Sequence, residues 1–163
     1  SSAASDVYKR QIDNCKDLLE RFGDKLVLPV DLIAATEFNA DAENKVVALD
    51  GIPEGWMSLD IGPESVKAFD EVIASSKTVF WNGPMGVFEM EAFSKGTEGV
   101  AKSIISATEN NGSFTVVGGG DSAASVRLLG LNEEGFSHIS TGGGASLEFL
   151  EGKELPGVSV LQA

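Results

Sequence analysis

Two runs of three glycines constrain the fold of this chain more than any other feature. "VVGGGDSAAS" occupies 116–125 and "ISTGGGASLE" occupies 139–148. Each run separates an apolar or β-branched stretch from residues that can begin a helix. Fixing glycine costs more conformational entropy than fixing any other residue. Two such runs at the same strand-to-helix junction indicate a backbone that must come close to something in both places.

Short apolar stretches alternate with amphipathic helical patterns along the rest of the chain. The predicted strands are KLVLPV (25–30), KVVAL (45–49), MSLDI (57–61), TVFW (78–81), FTVV (114–117) and SHIST (137–141). Alternation of this kind predicts βαβ units. We therefore expect an α/β fold, with an open, mostly parallel sheet and helices on both faces in a Rossmann-like three-layer arrangement. Residues 1–11 are small and polar and do not share the pattern, so they are interpreted as an appended, non-native leader, with a native frayed terminus as the alternative.

Composition excludes several classes of function. The net charge is −13, with 12 basic against 25 acidic residues, which argues against nucleic acid or an anionic membrane as a partner. No apolar run approaches the roughly 20 residues that a membrane span needs. Cys15 is the only cysteine, so no disulfide framework is expected and a reducing, cytoplasmic setting fits best.

The glycine runs are predicted to bind anions. Ligands of open parallel sheets bind at the carboxyl ends of the strands, where both runs lie. The first N–H groups of a helix lack intrahelical partners and carry a partial positive charge, so a bare loop before a helix can hold phosphate. Two such places suggest a ligand with several phosphates, or a phosphate that moves. The alternative is that the glycines only permit tight turns and close packing.

The chain contains no Walker A loop, so any phosphate site here must be of another kind. Gly118-x-Gly120-x-x-Ala123 fits a loose dinucleotide fingerprint, which keeps an NAD-type module open as an alternative. That fingerprint also needs an acidic residue at the end of the next strand, and Ser140-Thr141 stands there instead. A non-catalytic α/β module is the other alternative.

Asp121 follows the first glycine run directly. A carboxylate beside a polyphosphate is repelled unless a cation lies between them, so Asp121 suggests Mg²⁺, which takes one or two carboxylates plus phosphate oxygens. The alternative role for Asp121 is the N-cap of the following helix.

A third segment, "VFWNGPMGVFEME" at 79–91, follows the preceding strand. Its Asn82-Gly83-Pro84 stretch predicts a rigid turn out of the sheet. Val87 could then pack against a nucleotide base while Glu89 accepts hydrogen bonds from the ribose. Alternatively, the segment is a hydrophobic loop with an acidic residue before a helix.

The three segments together, "WNGPMGVFE", "GGGDS" and "STGGGASLEFLEGKELPG", closely resemble the phosphoglycerate kinase family. "LPVD" (28–31) and "IPEGWMSLDIGPES" (52–65) are similar to that family too, so the resemblance covers about 12–163. It implies a glycolytic kinase that transfers a phosphoryl group between 1,3-bisphosphoglycerate and Mg-ADP, giving 3-phosphoglycerate and ATP. Ser58 departs from the glycine that many members have near the adenine pocket.

The resemblance also implies roles for individual residues. Glu89 would bind the ribose of ADP or ATP, with Asn82, Pro84 and Val87 beside the nucleoside. The nucleotide phosphates and Mg²⁺ would be held by Gly118, Gly119, Gly120, Asp121 and Ser122, with Asp121 serving the metal. Backbone N–H groups of Gly142, Gly143 and Gly144 would face the phosphoryl group in transfer.

The family's chain is more than twice this length, so 12–163 resembles only the C-terminal part of its nucleotide-binding α/β domain. The basic N-terminal domain that binds phosphoglycerate is not matched, which agrees with the charge of −13. The resemblance implies a monomer at full length. We expect the present chain to be inactive by itself.

Overall fold

The computed structural model describes the backbone of residues 2–161 and the side chains from Lys9 to Leu161. The described residues form six strands: β1 (Asp31–Ala35), β2 (Asn44–Ala48), β3 (Met57–Ile61), β4 (Thr78–Asn82), β5 (Phe114–Gly118) and β6 (His138–Ser140). They form six α-helices: α1 (Ser2–Phe22), α2 (Pro63–Ser75), α3 (Lys95–Asn111), α4 (Gly120–Leu128), α5 (Gly143–Leu150) and α6 (Pro156–Ser159). Short 3₁₀ turns lie at Gly23–Lys25, Glu91–Phe93 and Glu133–Gly135.

The second half of the chain forms the parallel sheet that the alternating pattern predicted. Its order is β4-β5-β6, with both pairs parallel. Crossovers through α3 and α4 join these strands, as parallel neighbours require. The α/β fold class is therefore confirmed.

The main core lies between this sheet and the helices on one of its faces. Trp81 and Val117 point from the sheet toward Val100 and Ile104 of α3, and Val126 of α4 joins them. All five side chains are buried, because a central parallel sheet must be covered by its crossover helices. The ring of Trp81 also stacks at a centroid distance of 6.4 Å on Phe136.

The opposite face of the parallel sheet is only partly covered. Phe80 and Val116, which are paired in register, point to this face and border an apolar cavity of about 560 Å³ with α5 and α6. Phe149 and Leu150 of α5 remain 64% and 67% exposed. Helices thus lie on both faces as predicted, but α5 and α6 leave apolar surface open.

The first half of the chain forms a separate antiparallel sheet in the order β2-β1-β3. This direction was not expected from a pattern that predicted mostly parallel pairing. The strand predicted at 25–30 is wrong: residues 26–29 have no regular structure, and the paired strand begins at Asp31. Apolar character alone does not form a strand, because each strand needs a partner for its backbone groups.

One continuous helix, α1, spans the boundary that sequence analysis placed after residue 11. Its Leu18 and Leu19 are 47% and 45% exposed, so α1 stands away from the core. The origin of the first eleven residues stays a prediction, and Ser1 lies outside the described residues.

Two buried aspartates of the antiparallel sheet hold the first turns of helices α2 and α3. Asp31 accepts hydrogen bonds from the backbone N–H groups of Glu64 (3.1 Å) and Ser65 (2.7 Å) at the start of α2. Asp60 accepts one from the N–H of Gly96 (2.7 Å) at the start of α3. Carboxylates are favourable at helix N-termini because they satisfy free donors and oppose the helix dipole. These two contacts fasten the small sheet to the helical layer.

The two carboxylates differ in their proton affinity. Burial raises the pKa of Asp60 to about 6, although the N–H groups of Gly96 and Ile61 act against this shift. Burial also acts to raise the pKa of Asp31, but the hydrogen bonds from Ser65 and its neighbours outweigh it and leave that pKa lowered. The difference has two causes: Asp60 is enclosed more deeply, and it accepts fewer hydrogen bonds than Asp31.

We expect Asp60 to make this chain less stable as the pH rises from 4 to 7. A folded-state pKa near 6, against an ordinary value of 3.8, means that the folded chain holds a proton which the unfolded chain has released. The stability that the protonated carboxyl of Asp60 contributes is complete below its ordinary pKa of 3.8 and is lost as the pH passes its folded-state pKa of about 6. The free energy of unfolding of the wild type minus that of Asp60→Asn should therefore fall by roughly 2 kcal/mol across this range.

Asp31→Asn is the matched control, because the pKa of Asp31 is shifted in the opposite direction. Its difference from the wild type should not fall between pH 4 and 7. Denaturant titrations at several pH values measure both differences. An Asp60→Asn difference that stays level or grows with pH would contradict the assignment.

Candidate functional site

The carboxyl ends of the three parallel strands lie level with one another. Asn82 pairs in register with Gly118, and Gly118 pairs with Ser140. The three loops that carry the predicted site residues therefore leave the sheet side by side. This is the edge at which ligands of open α/β sheets bind.

Hydrogen bonds between neighbouring loops hold this edge together. The N–H of Gly119 donates to the carbonyl of Ser140 at 2.8 Å, which joins the loops after β5 and β6. The N–H of Gly83 donates to the hydroxyl of Ser122 at 2.7 Å, which joins the loop after β4 to the first turn of α4.

Several positions of this edge require glycine, and Gly119 and Gly143 are the two that bring the runs together. Gly119 has φ of 102°, a conformation that residues with a side chain rarely adopt. A Cβ on Gly143 would lie 2.6 Å from Cα of Gly119 and 2.8 Å from Oδ1 of Asn82. The two glycine runs are therefore in contact. This close approach is a structural reason for glycine at both strand-to-helix junctions.

The starts of α4 and α5 present free backbone donors at this edge. The first intrahelical bonds run from Ala123 to Gly119 and from Ser146 to Gly142, so the preceding N–H groups have no intrahelical acceptor. Neither helix has a side chain bonded at its N-cap, which is Gly119 in α4 and Gly142 in α5. Two converging helix N-termini without side-chain caps suit an anionic ligand.

Asp121 is exposed in the first turn of α4 and is not its N-cap, because Gly119 occupies that position. The alternative assignment as a capping residue is therefore not met. Among residues 9–161, no group of three or more acidic, histidine or cysteine side chains could bind a metal ion. A lone carboxylate beside free backbone N–H donors is compatible with Mg²⁺, which takes its other ligands from phosphate oxygens and water.

Ser122 is only 1% exposed, and its hydroxyl is the acceptor for Gly83. Its side chain therefore positions the loop after β4, and only its backbone N–H belongs to the free donors of α4. Sequence analysis grouped Ser122 with the phosphate ligands and did not anticipate this structural role.

The loop after β4 presents its predicted residues in different environments. Asn82 is exposed at the strand end beside both glycine runs, and Pro84 is half-buried. Val87 is half-buried and packs against the core of the small sheet. Glu89 is exposed and borders a cavity of about 360 Å³ together with Leu128 of α4. The structure thus brings Asn82 together with the glycine runs and places Glu89 farther along the loop.

Sequence analysis missed two residues that support this loop. Thr97 is fully buried and accepts hydrogen bonds from the N–H groups of Met85 (3.0 Å) and Gly86 (3.3 Å). Asp60 is 2% exposed, and a Cβ on Gly86 would lie 2.3 Å from its Oδ1. The only signal was local: Asp60 is a charged residue inside an apolar strand pattern.

Fold and site together define an α/β domain whose parallel strands end at a glycine-rich edge with free backbone N–H donors. The family model of phosphoglycerate kinase matches residues 2–153. The chain therefore belongs to the phosphoglycerate kinase family.

Relatives match almost all of this chain but only part of their own length. The phosphoglycerate kinase of Corynebacterium aurimucosum is 90% identical over 157 residues, which cover 96% of this chain and 39% of that protein. The phosphoglycerate kinase of a Mycobacterium species is 64% identical over 157 residues, covering 96% of this chain and 38% of that protein. The chain thus spans about two fifths of the length of these curated relatives.

Solved structures show the same relation. The structure of phosphoglycerate kinase from Coxiella burnetii matches with a TM-score of 0.83 and 38% identity, covering 93% of this chain and 39% of that one. The phosphoglycerate kinase from Pyrococcus horikoshii matches with a TM-score of 0.80 and 32% identity, covering 98% and 38%. In the part of the chain that the structure describes, no helix combines the length and apolar character of a membrane span.

We expect Gly143→Ala to destabilise this chain by about 1–3 kcal/mol, since the added methyl must push the two glycine runs apart. Gly144→Ala is the matched control one residue later, because a Cβ there meets no atom within 4 Å. That control should change stability by less than about 1 kcal/mol. Denaturant unfolding of both variants measures the difference, and equal effects would contradict the close contact.

Proposed function

We propose that this chain is the later part of the nucleotide-binding domain of a phosphoglycerate kinase. In this proposal the whole protein transfers a phosphoryl group between 1,3-bisphosphoglycerate and Mg-ADP, giving 3-phosphoglycerate and ATP. The observation that supports it best is the contact between Gly119 and Gly143, which brings two uncapped helix N-termini to one sheet edge.

Each glycine run has its own task in this proposal. The free backbone N–H groups of Gly120, Asp121 and Ser122 hold the nucleotide phosphates, while Gly118 and Gly119 shape the loop, because the N–H of Gly119 already donates to Ser140. In the second run, the N–H groups of Gly143 and Gly144 face the phosphoryl group in transfer, since the N–H of Gly142 donates to the hydroxyl of Ser140. Phosphoryl transfer depends on positioning and on stabilisation of negative charge, and fixed N–H donors supply both. Two adjacent sites allow the charge to be stabilised on either side of the transfer.

Mg²⁺ would supply neutralisation of phosphate charge when bound, with Asp121 as its protein ligand. The exposed carboxylate of Asp121 lies in the first turn of α4, directly after the proposed phosphate donors. Without a cation, the carboxylate would repel the phosphates that the same turn binds. Magnesium-dependent binding is therefore a property of this arrangement.

The loop after β4 would hold the nucleoside. Asn82 lies beside both glycine runs, and Pro84 and Val87 follow along the same loop. Glu89 is an exposed carboxylate that can accept hydrogen bonds from ribose hydroxyls.

The rest of the proposal concerns the part of the relatives that this chain does not match. Their remaining length would bind the phosphoglycerate, since this chain has 12 basic against 25 acidic residues. It would also cover the apolar face formed by Phe80, Val116 and Phe149. A monomer at full length and a cytoplasmic location belong to the same proposal, the latter because Cys15 is the only cysteine.

We expect Asp121→Asn to remove most of the magnesium dependence of ADP binding in the full-length protein. The amide keeps the shape of the side chain but loses the charge that attracts the ion. Calorimetric titration with ADP, with and without Mg²⁺, measures the change, and thermal unfolding should be nearly unchanged because Asp121 is not a cap. A variant that keeps the full magnesium response would contradict the role of Asp121. Tight binding of NAD to the wild type would favour the dinucleotide alternative.

We also expect no measurable kinase turnover from this chain by itself. Good positioning of reactants supplies about 7–11 kcal/mol of a barrier, and a cationic site for the second substrate is not apparent in this acidic sequence. A coupled assay of ATP formation from 1,3-bisphosphoglycerate and Mg-ADP compares the chain with the full-length protein. Turnover within about tenfold of the full-length protein, or about 1.4 kcal/mol, would show that the second substrate site has been misplaced.

A further inference from the structure

Asp60 lies in a break of the strand pattern of β3. Opposite β1, Ile33 pairs with Asp60 and the next residue, Ala34, pairs with Ser58, so Leu59 is left without a partner in the ladder. Such a bulge lets consecutive residues face inward, and Leu59 and Asp60 are 6% and 2% exposed. The bulge thus buries a carboxylate that regular alternation would direct elsewhere.

The bulge also presents a backbone carbonyl of β3 to the loop after β4. The carbonyl of Leu59 accepts a hydrogen bond from the N–H of Val87 at 2.9 Å. Thr97 of α3 accepts from the two preceding N–H groups, those of Met85 and Gly86. Three consecutive N–H groups of the loop are therefore held by two elements, β3 and α3.

Asp60 joins these two elements. Its carboxylate accepts from the N–H of Ile61 at 2.8 Å in its own strand and from the N–H of Gly96 at 2.7 Å in α3. Gly96 directly precedes Thr97, which holds the loop. A Cβ on Gly96 would lie 2.2 Å from Oδ1 of Asp60, and one on Gly86 would lie 2.3 Å from it. The carboxylate is thus packed between the strand, the helix and the loop.

We propose that Asp60 is a positioning residue for nucleotide binding, because it sets the distance between the two elements that hold the loop from Gly83 to Glu89. The inference rests on the proposed function, which places the nucleoside against this loop. The other end of the loop is bonded to Ser122 in the turn proposed to bind phosphates. A shift of α3 relative to β3 would therefore move the nucleoside contacts relative to the phosphate contacts.

The test is steady-state kinetics of the full-length protein with Asp60→Asn. The amide keeps the size of the side chain, but its NH₂ group cannot accept, so one of the two backbone donors loses its partner. We expect the KM for Mg-ADP to rise at least fivefold while the KM for the phosphoglycerate substrate stays within twofold.

Asp31→Asn is the matched control, since Asp31 is also a buried strand carboxylate that binds a helix N-terminus. Its bonds go to α2, whereas those of Asp60 go to α3, the helix whose Thr97 holds the loop. Both variants should lower the melting temperature, but Asp31→Asn should leave both KM values within twofold. A loss of stability alone would act equally in the two variants, so the selective rise in the KM for Mg-ADP identifies positioning.

Thr97→Val is a second variant in case Asp60→Asn does not fold. It keeps the volume of a buried side chain and removes the acceptor of the N–H groups of Met85 and Gly86. The same selective rise in the KM for Mg-ADP is expected. If neither folded variant raises that KM more than Asp31→Asn does, the role of Asp60 is overturned.

Glu89→Ala separates this inference from the proposed function. If Glu89→Ala raises the KM for Mg-ADP and Asp60→Asn does not, only the positioning role fails. If Glu89→Ala also has no effect on nucleotide binding, the nucleoside does not lie on this loop and the proposed function fails at this point. A rise in both variants supports the two together.

Discussion

The close approach of Gly143 to Gly119 is the contact on which the candidate site depends. A Cβ on Gly143 would lie 2.6 Å from Cα of Gly119, so only glycine allows the first turns of α4 and α5 to meet. Their free N–H groups then converge on one edge of the sheet, where the partial positive charges of the two helix N-termini add. The proposed phosphate binding depends on this local field, because the net charge of −13 opposes the approach of an anion.

Two buried carboxylates of the small sheet also anchor helices outside it. Asp31 binds the start of α2 and Asp60 binds the start of α3, so both helices are fixed to the same three-stranded sheet. The two carboxylates differ in depth of burial and in the number of hydrogen bonds that they accept. Hydrogen bonds lower the pKa of Asp31 against its burial, whereas burial prevails at Asp60 and raises its pKa to about 6. The geometric contacts of Asp60 with Gly96 and beside Gly86 carry the positioning role proposed for it.

Much of the fold could be predicted because its signals are local. The apolar run TVFW and the glycine runs indicated a parallel sheet without any tertiary information. They also predicted that a ligand binds at the carboxyl ends of its strands. The strand predicted at 25–30 was wrong because a strand is defined by its partner, which the apolar pattern of one segment does not contain. The phosphate role predicted for Ser122 could not anticipate that its hydroxyl is used by Gly83, since that contact joins residues 39 positions apart.

The sequence by itself determined the α/β class, the junctions at Gly118–Gly120 and Gly142–Gly144, and the family resemblance, because each depends on residue types at fixed short spacing. Only the tertiary structure decided that the two glycine runs touch, that Thr97 and Asp60 support the loop after β4, and that the first sheet is antiparallel. The physical reason is that close packing and burial are properties of distant segments brought together. Whether a carboxylate such as Asp60 is hydrated or enclosed depends on what folds against it.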